Sequence, residues 1–165
     1  MLNQAENTLR LPRYAELPQL ELYMDQVLLI LEQALAPDLP ELPEEPRRGK
    51  QSERPVTASM INNYVKQGLI GPPRKKRYTK QQVASLLLIC LLKNLLPIAD
   101  IKLLLQTAEG QGFAAFYDSF CGQLEACLSN LWAVSPADQP ELPQAAAQAL
   151  AQKFYLQNRL QNRNL

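Results

Sequence analysis

Apolar positions along this chain recur at helical spacing, in segments separated by proline-rich or polar stretches. Leu22, Tyr23, Val27, Ile30, Leu31 and Leu35 form one wide apolar stripe, which predicts a helix over 21–35. Glu21 and Asp25 fall in its first turns, where the helix dipole favours an anion. Ahead of it, Pro12 and Pro18 punctuate an arm that Tyr14 and Leu17 are expected to pack onto the domain. Residues 36–55 hold five prolines and no helical period, so they read as an exposed connector.

Thr57 can cap a helix that runs to Gln67, and Gly68 can supply its left-handed stop. Ile61, Tyr64 and Val65 form its inward side. Ser59, Asn62, Asn63 and Lys66 fall at i, i+3, i+4 and i+7 and therefore share one outward stripe. Leu69 and Ile70 are expected to re-enter the core. Pro72 and Pro73 forbid further helix, so Arg74 to Tyr78 reads as a short extended turn with room for a minimal two-stranded wing. Thr79 and Gln82 have capping-box spacing before the most apolar segment, a helix from Lys80 to about Leu95 expected at the centre of the core. Pro97 ends it, and Asp100 starts a helix over 101–107.

Gly110 and Gly112 mark a turn before a helix over 113–132. Within that helix Tyr117, Phe120, Leu124, Cys127 and Leu131 are spaced three, four, three and four apart. Such a seam suits a neighbouring helix or a partner subunit. A last helix is expected from about Pro143 to Asn162, with a tail, QNRLQNRNL, too polar for deep burial. The fold class is all-α. Its expected organisation is an N-terminal arm and helix (1–35), the connector (36–55), a core (56–109) and a C-terminal dimerisation or effector region (110–165).

Composition narrows the chemistry. At 165 residues and 47% hydrophobic, the chain suits one compact domain or a small domain with an appendage. The longest apolar run, Leu86 to Leu92, falls short of the roughly 18 residues that span a bilayer. The start lacks the basic-then-apolar order of a secretory signal, so a cytoplasmic protein without membrane contact is expected. Three cysteines, Cys90, Cys121 and Cys127, are too few and too odd in number for a disulfide framework and read as free core thiols. The absence of histidine removes the commonest general base and metal ligand. No catalytic site, metal or cofactor is therefore expected.

Charge is unevenly placed. Residues 54–99 carry eight Lys and Arg and no Asp or Glu, while acidic residues predominate in both flanks. A basic block of this kind points to a polyanion, most often nucleic acid. Short polar side chains on an exposed helix can address base edges in the major groove, and Lys and Arg hold phosphates. Ser59, Asn62, Asn63 and Lys66 offer the first chemistry. Arg74, Lys75, Lys76, Arg77 and Lys80 offer the second.

The stretch NNYVKQGLIGPPRKKRYTKQQVASLLLICLL resembles the DNA-binding domain of MerR-like regulators, on Tyr64, Lys66, Gly68 and Leu69, on the wing end Lys76–Thr79, and on Ile101–Leu105. Where those regulators carry Arg in the recognition helix, this chain has Ser59 and Asn62. A closer resemblance is to a bacterial domain-of-unknown-function family of the DUF1836 type, on LPRYAELPQLELYMDQV, MINNYVK and PRKKRYTKQQVA. The resemblance implies a transcription regulator with a helix-turn-helix of MerR type; it implies no known ligand. The leading expectation is thus a sequence-specific binder of double-stranded DNA, acting as a homodimer. The alternative is a helical protein-interaction module without DNA contact.

Overall fold

The computed structural model describes residues 9–35, 56–135 and 137–162. The connector expected over 36–55, the first eight residues and Arg163 to Leu165 lie outside the described residues. Helices dominate: α1 (Met24–Leu35), α2 (Ala58–Lys66), α3 (Lys80–Leu92), α4 (Ile98–Gln111), α5 (Phe113–Ala133) and α6 (Leu142–Gln161). Two short strands, β1 (Leu22–Tyr23) and β2 (Arg77–Tyr78), pair antiparallel. The molecule is all-α with a minimal sheet.

α3 is the axis of the core. Every residue from Val83 to Cys90 is buried, all apolar but Ser85, because neighbours cover this stretch on every side. One hydrophobic cluster joins it to Leu11 and Leu17 of the arm, Val27 and Leu31 of α1, Ile61 and Tyr64 of α2, Ile101 of α4, Tyr117 of α5 and Leu160 of α6. Thr79 accepts from the Gln82 amide while the Gln82 side chain accepts from the Thr79 amide, completing the expected capping box.

Four boundaries differ from expectation. Leu22 and Tyr23 are strand rather than helix, and α1 begins at Met24, because a second strand is present to pair with them. α3 stops at Leu92, where the Leu95 and Leu96 amides turn back onto the Leu92 carbonyl. α4 is longer at both ends: the Pro97 carbonyl accepts from Asp100 and Ile101 at its start, and Gly110 stays helical, leaving Gly112, at φ +91°, as the break before α5. The polar tail is anchored, since Leu160 is buried and Gln157 donates to the buried Asp100 at 3.0 Å.

The arm over 9–23 is held by directed bonds as well as by apolar burial. The Glu125 carboxylate of α5 accepts from the Leu11 amide at 2.6 Å and from the Arg13 guanidinium. Asp118 accepts from the Tyr14 amide at 2.6 Å, and the Tyr117 hydroxyl donates to the Pro12 carbonyl at 2.9 Å. The Tyr14 ring meets Phe113 and Tyr117 edge-on, at 6.0 and 6.1 Å between centroids. Burial pushes the Glu125 carboxyl up, but Arg13 and the Leu11 amide outweigh it and hold its pKa below the usual value.

A carboxyl with a depressed folded pKa contributes stability that is full above its unfolded value, about 4.3, and is lost as pH falls through the folded one. Glu125→Gln keeps the shape and removes the charge. It is expected to lower stability at pH 7 by about 1–3 kcal/mol, and to flatten the decline in stability below about pH 4, as measured by urea unfolding at several pH values. Equal stability of the two proteins at pH 7 would mean the arm is not held this way.

Candidate nucleic-acid interface

α2 is capped at both ends by local chemistry. The Thr57 hydroxyl accepts from the Met60 amide at 3.3 Å. At the other end Leu69 donates to the Tyr64 carbonyl and Gly68 to the Val65 carbonyl, both at 3.0 Å, which is a Schellman motif. Gly68 takes φ +70°, as that motif requires, and a Cβ there would sit 3.2 Å from Lys102 Nζ. Leu69 and Ile70 then drop into the core, as expected.

With both ends fixed, the helix presents its faces cleanly. Ile61 and Tyr64 are buried, and Ser59, Asn62, Asn63 and Lys66 are all exposed. The stripe read from the spacing is thus a solvent-facing polar row. Tyr64 packs inward, where burial pushes its phenol up to about 12, so it stays neutral. Cys90, buried beside it in α3, is pushed up to about 12 for the same reason and is a packed thiol rather than a nucleophile. Cys121 is buried also, but Cys127 is exposed rather than a core thiol, because it lies on a stretch of α5 that leaves the core.

After α2, the Gly71 and Pro72 carbonyls accept from the Gln82 side chain, which ties the link to the first turn of α3. The basic turn that follows is a hairpin. Arg74 and Arg77 exchange both backbone bonds, at 3.1 and 2.9 Å, around Lys75 and Lys76. Both lysines lie in the left-handed region, at φ +49° and +63°. Positive φ at both central residues is the signature of a type I′ turn, which normally favours Asn-Gly. This hairpin is the wing, and its outer strand β2 pairs with β1 in the register Leu22 to Tyr78 and Tyr23 to Arg77. Tyr78 points into the core, and Tyr23 and Arg77 point out.

The wing therefore carries a cross-strand row. Tyr23 lies opposite Arg77, and Arg77 opposite Arg74. Arg77 donates to the Tyr23 hydroxyl at 2.9 Å, with its guanidinium carbon 5.0 Å from the ring centroid. Glu21, Tyr23, Arg74, Lys75 and Arg77 line a depression of about 490 Å³. Among the described residues Lys66, Arg74, Lys75, Lys76 and Arg77 form no ion pair; the pairs present are Arg10–Glu16 and Arg13–Glu125.

Not all the expected residues converge. Lys80 turns towards the arm, its ammonium 4.8 Å from the centre of the Tyr14 ring. The seam on α5 divides: Tyr117 is buried, Phe120 and Leu124 pack partly against the core, and Cys127 and Leu131 are exposed. From Ala126 to Ala133 only Leu128 is even partly covered. Conversely, Tyr23 and Glu21, expected from the sequence only as helix residues, line the depression at the wing. A polar–apolar alternation at Glu21, Leu22 and Tyr23 was the one signal for them. Among the described residues no group of three His, Cys, Asp or Glu could hold a metal ion, and no helix is long and apolar enough to cross a membrane.

Left-handed backbone disfavours residues with a Cβ by about 1–2 kcal/mol each. Lys76→Gly removes one such Cβ against the extra entropy that glycine loses on folding, and Lys75→Asn brings a residue that tolerates this backbone, so the pair is expected to raise stability by about 1 kcal/mol, measured by urea unfolding. A loss of stability would contradict the turn geometry.

No curated protein and no solved structure gives a significant match to the chain. A family match spans residues 12–120, from the arm to the middle of α5, and so takes in α2, the wing and the strand that pairs with it. On that match the chain belongs to the family described as a domain of unknown function, DUF1836.

Proposed function

We propose that this protein binds double-stranded DNA and acts as a transcription regulator, with α2 as a recognition helix of MerR type and the Arg74–Arg77 hairpin as its wing. The observation that carries the reading is an exposed polar helix stripe together with a set of cations that, among the described residues, form no ion pair. Ser59, Asn62 and Asn63 supply short donors and acceptors suited to base edges, and Asn suits adenine in particular. Lys66 and the wing supply phosphate contacts that set register without reading sequence. α1 takes the place of the first helix of the helix-turn-helix. In this reading the protein has no catalytic role and works inside the cytoplasm.

Homodimerisation belongs to the same proposal. Leu131 and Trp132 on α5 and Leu150, Phe154 and Tyr155 on α6 are exposed apolar side chains that a second copy can cover. Two-fold related readers would then contact half-sites about one DNA turn, or a multiple of it, apart. The same apolar residues are the observation that favours the second reading, a helical protein-interaction module. The two differ in the response to duplex DNA.

Four neutralised phosphates give a log–log salt slope of about −3.6 for duplex binding. The triple variant R74A/K75A/K76A is expected to weaken all sequences alike and to make that slope shallower. Asn62→Ala and Asn63→Ala are expected to alter preference among sequences, by about 1–3 kcal/mol per lost base contact. Fluorescence anisotropy with labelled duplexes at several salt concentrations checks both. Binding that ignores salt, or no binding to any duplex from the protein's own genome, would remove this reading and leave the interaction module.

A further inference from the structure

The outer row of the wing carries a feature that a simple basic loop does not need. Arg74 and Arg77 face each other across a hydrogen-bonded pair of positions, and like charges so placed oppose the pairing. No carboxylate among the described residues forms an ion pair with either of them. Glu21 shares their depression and is close enough to act on Arg77 electrostatically, yet it does not pair with it. The depression thus has a surplus of cation over anion: Arg74, Lys75 and Arg77 against Glu21.

Tyr23 completes the arrangement. Its hydroxyl oxygen accepts from Arg77, and among the described residues no acceptor takes its proton. That O–H is free to donate outwards, beside the remaining donors of Arg77, which present a planar fork suited to paired oxygens. A neutral donor next to two guanidinium groups suits an oxyanion with several acceptor oxygens, and phosphate has that chemistry.

We propose that Tyr23, Arg77 and Arg74 form a composite seat for one phosphodiester of duplex DNA, with Glu21 at its rim opposing anion entry. The inference rests on the DNA-binding reading and extends it to the N-terminal strand, whose side chains lie outside both the recognition helix and the basic turn. The same seat chemistry would accept a free phosphate. Duplex DNA is the source favoured here, because the seat lies on the hairpin whose Lys75 and Lys76 project further cations, enough for a row of phosphates rather than one.

The test compares variants on one duplex. Tyr23→Phe keeps the ring, the strand and the Arg77 stacking and removes only the hydroxyl; it is expected to weaken duplex binding by about threefold to tenfold, with an unchanged salt slope. Arg77→Ala is expected to weaken binding and make the slope shallower by about 0.9. Glu21→Gln is expected to tighten binding about twofold to fivefold, as the loss of one nearby like-signed charge would. Thermal unfolding of each variant separates these effects from loss of structure, and inorganic pyrophosphate serves as the competing free anion. If wild type binds duplex with the expected salt slope but Tyr23→Phe and Glu21→Gln bind as it does, the seat is overturned and the DNA reading stands. If wild type binds no duplex, both fall. If pyrophosphate at low millimolar concentration displaces duplex from wild type and equally from Arg77→Ala, the seat is overturned also.

Discussion

The antiparallel pairing of Leu22 and Tyr23 with Arg77 and Tyr78 is the constraint on which the basic surface depends. Four residues make the sheet, and a two-stranded ribbon this short is not stable alone. It persists because both strands are anchored elsewhere. β2 is followed at once by the capped start of α3, and Tyr78 is buried in the core. β1 is the far end of an arm whose near end is bonded to α5 by Glu125, Asp118 and Tyr117. The arm therefore links the long C-terminal helix to the wing, and a displacement of α5 relative to α3 would be felt at Arg77.

The wing is built against local preference. Lysines occupy the two left-handed positions of a tight turn where Asn and Gly are favoured, and two arginines face each other across it. Departures from local rules are expected at functional or strained sites. Here the core supplies what the wing lacks: α3 is buried on every face, and α2 is capped by Thr57 and closed by Gly68. A stable scaffold thus carries a charged element with backbone in the left-handed region.

Much of this was legible in the residues. α2 could be read almost whole, because Thr57, Gly68 and the spacing of Ile61 and Tyr64 against Ser59, Asn62, Asn63 and Lys66 are local signals. The capping box of Thr79 and Gln82 was equally plain. β1 was not, since a two-residue strand has no period of its own and its partner lies 54 residues away. Leu22 and Tyr23 also fit the helical stripe of α1, and long-range pairing decided against that fit. Pro97 and Gly110 misled at α4, because proline can open a helix and glycine can remain within one. The spacing on α5 aligned Tyr117, Phe120, Leu124, Cys127 and Leu131, but only the packing could show that Tyr117 is covered while Leu131 is not. The role of Tyr23 rests on contacts with Arg77, far along the chain, which leave no trace in a sequence.

The central claim is that the α2 stripe, the wing and β1 together meet DNA. Its most direct test is a titration of duplex DNA into isotope-labelled protein, following backbone amide and Tyr ring resonances. The account predicts that the resonances that shift belong to residues 21–23, 59–66 and 74–77, with α5 beyond Ala126 and the exposed face of α6 unmoved at low protein concentration. Shifts confined to α5 and α6, or none at saturating duplex, would contradict it.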